Sequence, residues 1–77
     1  MKIDGTVIPQ VVIDSLWNGV AGRKTFTTDE LYWPANALLA DKGISFTLAR
    51  RLVVKWKNEG RIRKPQNSKR NAPWEVV

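Results

Sequence analysis

The chain contains no cysteine and no histidine. That removes disulfide staples, the ordinary zinc ligand sets and the commonest nucleophile–base pairs at one stroke. The glycines form no phosphate-binding loop, and each carboxylate pair has a structural explanation, so neither a catalytic centre nor a metal or cofactor is expected. Apolar runs are short as well. None approaches the roughly 20 residues of a membrane span, and Met1-Lys2-Ile3-Asp4-Gly5 lacks the apolar core of a secretion signal, which predicts a cytoplasmic protein with no membrane partner.

A chain of 77 residues has room for one domain, 1–77, with one modest core held by packing alone. Tryptophan is what it has for that purpose. Trp17, Trp33, Trp56 and Trp74 fall one in each quarter of the chain and are read as core anchors in preference to a base-stacking platform, with allowance for one exposed ring.

Positive charge is the other abundance, and it is uneven. Residues 1–49 carry four Lys or Arg against five Asp or Glu, whereas residues 50–77 carry nine against two. A field of one sign gathered on one part of a small basic domain favours a polyanionic partner, of which nucleic acid is the commonest.

In chain order, the spacing of Val12, Leu16 and Gly19, with Ile13 and Trp17 beside them, predicts a helix from about Pro9 to Trp17. Pro9 suits its first position, Gly19 or Gly22 its end, and Gln10, Asp14, Ser15 and Asn18 its solvated face. Arg23–Thr27 alternates around Phe26 and reads as a short strand. Thr27-Thr28-Asp29-Glu30 then sets a hydroxyl three residues before a carboxylate, the pattern of a capping box, and this explains the acidic pair without catalysis. Pro34 is expected to kink the helix that follows or to split it, giving a second piece from Pro34 to about Asp41. Ala35, Leu38 and Leu39 would supply the inner face of that piece, and Lys42-Gly43 its stop, with Gly43 left-handed.

Ser45 is the expected cap of the next helix, about 46–59, with Gly60 just past its end. At 100° per residue Leu48, Ala49, Leu52, Val53 and Trp56 gather on one side, and Thr47, Arg50, Arg51, Val54, Lys57 and Asn58 on the other. The second set has the chemistry of base recognition: arginine pairs with guanine, asparagine with adenine, and valine meets a thymine methyl. On its own such a face is an ordinary solvated one. The following segment changes the weighting, because Arg61–Gln66 and Ala72–Val77 read as two short strands around the polar, basic loop Asn67-Ser68-Lys69-Arg70-Asn71. Ile62, Trp74 and Val76 would face inward, and Pro65 and Pro73 confine the hairpin to an edge.

The order helix, strand, helix, turn, helix, basic hairpin resembles the winged helix-turn-helix superfamily of small bacterial and phage regulators, over about Val7 to Val77. The local match lies in Gly43-Ile44-Ser45, Leu48, Leu52 and Gly60-Arg61-Ile62. The resemblance implies an α+β fold of three helices, a small antiparallel sheet and a C-terminal hairpin wing. It implies a double-stranded DNA-binding protein, a transcriptional regulator or a phage or plasmid accessory factor, found with the nucleoid in a bacterium. The helix over 46–59 would enter the major groove and the wing, 67–72, would lie on backbone or minor groove. The implied DNA-binding residues are Ser45, Phe46, Thr47, Arg50, Arg51, Val54, Lys57 and Asn58 on the helix, with Arg63, Lys64, Lys69 and Arg70 on the wing. Further partners would be a second copy or a larger protein on the same DNA. The alternative reading is a winged-helix interaction module whose basic face docks an acidic protein, and RNA is a third target class.

Overall fold

The computed structural model describes residues 1–65 and 72–77. Three helices pack with two small antiparallel sheets in an α+β arrangement. The chain opens with a hairpin, β1 (Lys2–Ile3) and β2 (Thr6–Val7), that has no counterpart among the sequence expectations. Asp4 and Gly5 make its turn with φ of 49° and 81°, the positive pair that a two-residue hairpin requires. Asp-Gly between Ile3 and Thr6 is the signal that reveals it in the sequence.

Helix α1 (Gln10–Ala21) is longer than expected. Pro9 stands at the cap position, one residue before the helix, and the helix continues past Gly19 to close at Gly22. Its inner stripe is Ile13, Leu16 and Val20, with Val12 and Trp17 packed at the margin; Gly19 faces outward. Strand β3 (Thr25–Phe26) follows and buries Phe26. Helix α2 (Thr28–Leu39) then starts on the expected reciprocal cap, since the Glu30 carboxylate turns back to accept from the Thr27 N–H at 3.2 Å. The Arg23 guanidinium also pairs with Glu30, tying the approach of β3 to this cap.

Pro34 does not split α2, the second of the two expected outcomes. It lies inside one helix at a solvent-exposed position, where water can serve the backbone carbonyl that its missing N–H leaves free. The inner face of α2 is Leu31 and Ala35, with Leu39 half-buried, and Leu38 points outward.

The expected boundary between the second and third helices is corrected. Helix α2 ends at Leu39, and Ala40 takes the left-handed conformation at φ 53° in place of Gly43. Helix α3 (Lys42–Asn58) begins immediately afterwards, capped by Asp41, whose carboxylate accepts from the Ile44 N–H at 3.0 Å. A carboxylate at this position outcompetes a hydroxyl four residues later, because it satisfies an orphan donor and adds charge favourable to the helix dipole. Lys42 and Gly43 therefore belong to the first turn, and Ser45 is inside the helix.

At its far end α3 closes as expected. Gly60 has φ 78°, its N–H donates to the Lys57 carbonyl, and the Arg61 N–H donates to that of Trp56, the paired bonds of a Schellman motif. This turn leads the chain into β4 (Ile62–Arg63). The last strand, β5 (Trp74–Val76), lies between β4 and β3, with Ile62 opposite Val76 and Phe26 opposite Trp74.

The core gathers on the inner face of α3. Leu48, Ala49, Leu52, Val53 and Trp56 are all buried, as their spacing predicts, against Leu31 and Ala35 of α2, Ile13, Leu16 and Val20 of α1, and Ile3, Ile8, Phe26 and Ile62. Each large aliphatic group removed from water in this way contributes about 1.5–3 kcal/mol before chain entropy is subtracted. Trp56 is at the centre, edge to face with Trp17 at 5.0 Å and with Phe26 at 6.4 Å. Trp17 and Trp74 are partly buried against the core, and Trp33 is the exposed member of the four.

Candidate nucleic-acid interface

The packing of α3 determines which of its side chains are left for a partner. With the Leu48–Trp56 stripe turned inward, Arg50, Arg51, Val54, Lys57 and Asn58 are exposed and Thr47 is half-buried, the set expected from helical periodicity, and Phe46 is exposed beside them. Phe46, Thr47, Arg50, Arg51 and Val54 line one shallow concavity of about 410 Å³. Val54 is 56% exposed within it, an apolar group held between cations.

Ser45 does not belong to this face. It is completely buried, and its hydroxyl donates to the Asp41 carbonyl at 2.6 Å. Its single O–H donor is used within its own helix start and its side chain has no exposed surface, so Ser45 is removed from the set of contact residues and from the capping role together.

Electrostatics divide the basic residues into two groups. Arg63 donates to Glu75 at 2.9 Å across the β4–β5 register, and Lys64 donates to the Ala72 carbonyl at 2.7 Å while lying 4.6 Å from the Trp74 ring centroid. Arg61 sits 5.1 Å over Trp17 and near Glu59. Arg63 and Lys64 are thus partly used inside the C-terminal hairpin, and Arg61 at its junction with α1. On α3, by contrast, no ion pair with Arg50, Arg51, Lys55 or Lys57 is formed among the described residues. Their charge is not neutralised locally and is available to an anion. Lys69 and Arg70, the expected wing-tip contacts, lie outside the described residues.

Arg51 has a second role. Its guanidinium donates to the Lys2 carbonyl at 3.0 Å, so the N-terminal hairpin is fastened to the flank of the exposed face. Two further features were not anticipated from the sequence. Lys55, four residues after Arg51 and exposed, extends the cationic face; the i,i+4 spacing is the signal that includes it. Beside Phe46 lies an aromatic group from α2: Tyr32 meets Trp33 at 5.0 Å and Phe46 at 6.3 Å, both edge to face.

No helix among the described residues is long and apolar enough to cross a membrane, and those residues contain no cluster of His, Cys, Asp or Glu able to hold a metal ion. Comparison with protein-family models, with curated proteins and with solved structures gave no match for this chain. The functional reading therefore rests on the architecture and on the chemistry of the α3 face.

Proposed function

We propose that the protein binds double-stranded DNA as a winged helix-turn-helix module and acts as a transcriptional regulator or a phage or plasmid accessory factor. In this reading α3 enters the major groove and α2 crosses the backbone. Binding, rather than catalysis, is the activity proposed.

The observation that carries the reading is the locally unneutralised row of Arg50, Arg51, Lys55 and Lys57 on the outer face of a helix whose inner face is anchored in the core. A helix anchored by its buried face presents the same set of residues outward, as recognition of base edges requires. Supporting it are the two-residue link from α2 to α3 and the sheet order β3-β5-β4 behind them, which agree with the winged arrangement. Arg50 is assigned to a base edge, Val54 to a thymine methyl, and Lys55 and Lys57 to phosphates. The two phosphate contacts of Lys55 and Lys57 contribute about −1.8 to the log–log salt slope on duplex DNA.

Selection of bound sequences from a random duplex pool at low salt tests the reading. Enrichment of a short motif is the expected result. Absence of retention at low salt would refute it and favour a protein-interaction module, for which the exposure of Trp33, Phe46 and Val54 is the specific observation.

A further inference from the structure

The four tryptophans divide unequally between core and surface. Trp33 is 66% exposed and Phe46, across the α2–α3 corner, is 49% exposed. Both are braced by half-buried Tyr32, with interplanar angles of 68° and 72°. Rings that meet edge to face do not cover one another as stacked rings do, so aromatic surface remains open to solvent. The Arg50 guanidinium lies 5.7 Å from the Phe46 centroid, which adds a cation to the same patch.

Phe46 and Arg50 also line the concavity of the α3 face. Any polyanion seated on that face therefore reaches the aromatic patch at its edge. Inside a duplex the faces of the bases are covered by their neighbours, and only edges, sugars and phosphates are offered. Open aromatic rings gain most from a base whose own face is free, and a guanidinium beside them can take the phosphate of the same nucleotide. An apolar protein surface would match the rings but would have to desolvate Arg50, for which it supplies no partner.

Resting on the duplex-binding reading, we infer that the preferred target is a junction between duplex and unpaired strand, with α3 on the duplex and the first unpaired base stacked on Trp33 and Phe46. The site takes a nucleobase and its phosphate, with no requirement for base identity at the stacked position. This makes the Trp33 ring a binding group instead of a core anchor.

The test measures fluorescence anisotropy with three labelled probes of one sequence: a blunt duplex, the same duplex with about four unpaired nucleotides at one end, and the single strand alone. The unpaired extension should tighten binding by about tenfold over the blunt duplex. Trp33→Ala should abolish that gain while keeping the blunt-duplex affinity, and Trp33→Phe should retain most of it. Because Trp33 is exposed, thermal melts of both variants should match the parent, which separates lost stacking from lost folding. Equal affinity for blunt and extended duplexes, or a Trp33→Ala loss that is the same for both, overturns the inference and leaves the duplex reading standing. Single strand bound as tightly as the extended duplex overturns the junction assignment. Self-association that Trp33→Ala removes would give the patch to a second copy and also overturn it. Binding to none of the three probes refutes the duplex reading itself.

Discussion

Replacing the two glycines at the ends of α3, Gly43 inside its first turn and Gly60 just past its last, by alanine should move stability in opposite directions. Gly43 is the second residue of the helix, its φ is not positive, and a Cβ built there meets only the Asp41 carboxylate, at an ordinary 3.6 Å. Alanine would recover helix propensity and reduce the entropy of the unfolded chain, worth up to about 1 kcal/mol in a helix interior and about 0.5 kcal/mol this close to the end. Gly60 differs in one respect that decides the sign. Its φ is 78°, and nothing lies within 4 Å of a built Cβ, so the cost of alanine is backbone conformation alone, about 1–2 kcal/mol. At about 4–8 °C per kcal/mol for a domain of this size, Gly43→Ala should raise Tm by about 2–4 °C and Gly60→Ala should lower it by at least about 4 °C. Reversible melts followed by far-UV circular dichroism read both shifts. A fall for Gly43→Ala comparable to that of Gly60→Ala would refute the reasoning, because it would put the left-handed turn at Gly43 and return the start of α3 to Ser45.

Two further expectations concern the same helix. Asp41→Ala should cost about 1 kcal/mol through loss of the cap, and Ser45→Ala less, because the Asp41 carbonyl keeps its bond from the Ser45 N–H at 2.9 Å; urea titration of the two variants ranks them, and the reverse order would contradict the assigned helix start. Arg51→Ala should release the N-terminal hairpin, which hydrogen exchange reads as faster exchange of the Ile8 amide, bonded to the Met1 carbonyl, with the α1 amides unchanged. Unaltered protection at Ile8 would mean that the hairpin is held by Ile3 and Ile8 burial alone.

Where a single local force acts, the structure follows from the residue pattern. The buried stripe of α3, the Thr27–Glu30 box and the Gly60 turn each depend on periodicity or on one backbone requirement, and each occurs as the spacing predicts. The start of α3 is a contest among three plausible signals within five residues: Asp41 as a cap, Gly43 as a stop and Ser45 as a cap. A charged cap and the ability of Ala40 to accept a positive φ resolve it, and neither is visible from glycine placement. Pro34 illustrates the opposite case. Its local cost is real, but the packing of Leu31 and Ala35 on α3 holds the helix through it, so tertiary contact overrides the breaker.

The outward set on α3 was equally legible, because burial of one face dictates exposure of the other. What periodicity does not convey is how each exposed group is occupied. Arg63 and Lys64 resemble Arg50 and Lys57 in sequence, yet the first two spend hydrogen bonds inside the hairpin and the second two make no ion pair among the described residues. The Tyr32–Trp33–Phe46 group escapes a sequence reading for a related reason. It joins two helices across the short α2–α3 link, and a tryptophan in a small chain is by default a core residue.

The central claim, that the outer face of α3 holds duplex DNA, is tested most directly by the salt dependence of duplex binding for the parent chain and for a Lys55→Ala, Lys57→Ala double variant. The account predicts a linear fall of log affinity with log salt concentration for both, with the slope of the double variant shallower by about 1.8, two phosphate contacts having been removed. Identical slopes and affinities for the two proteins would contradict it.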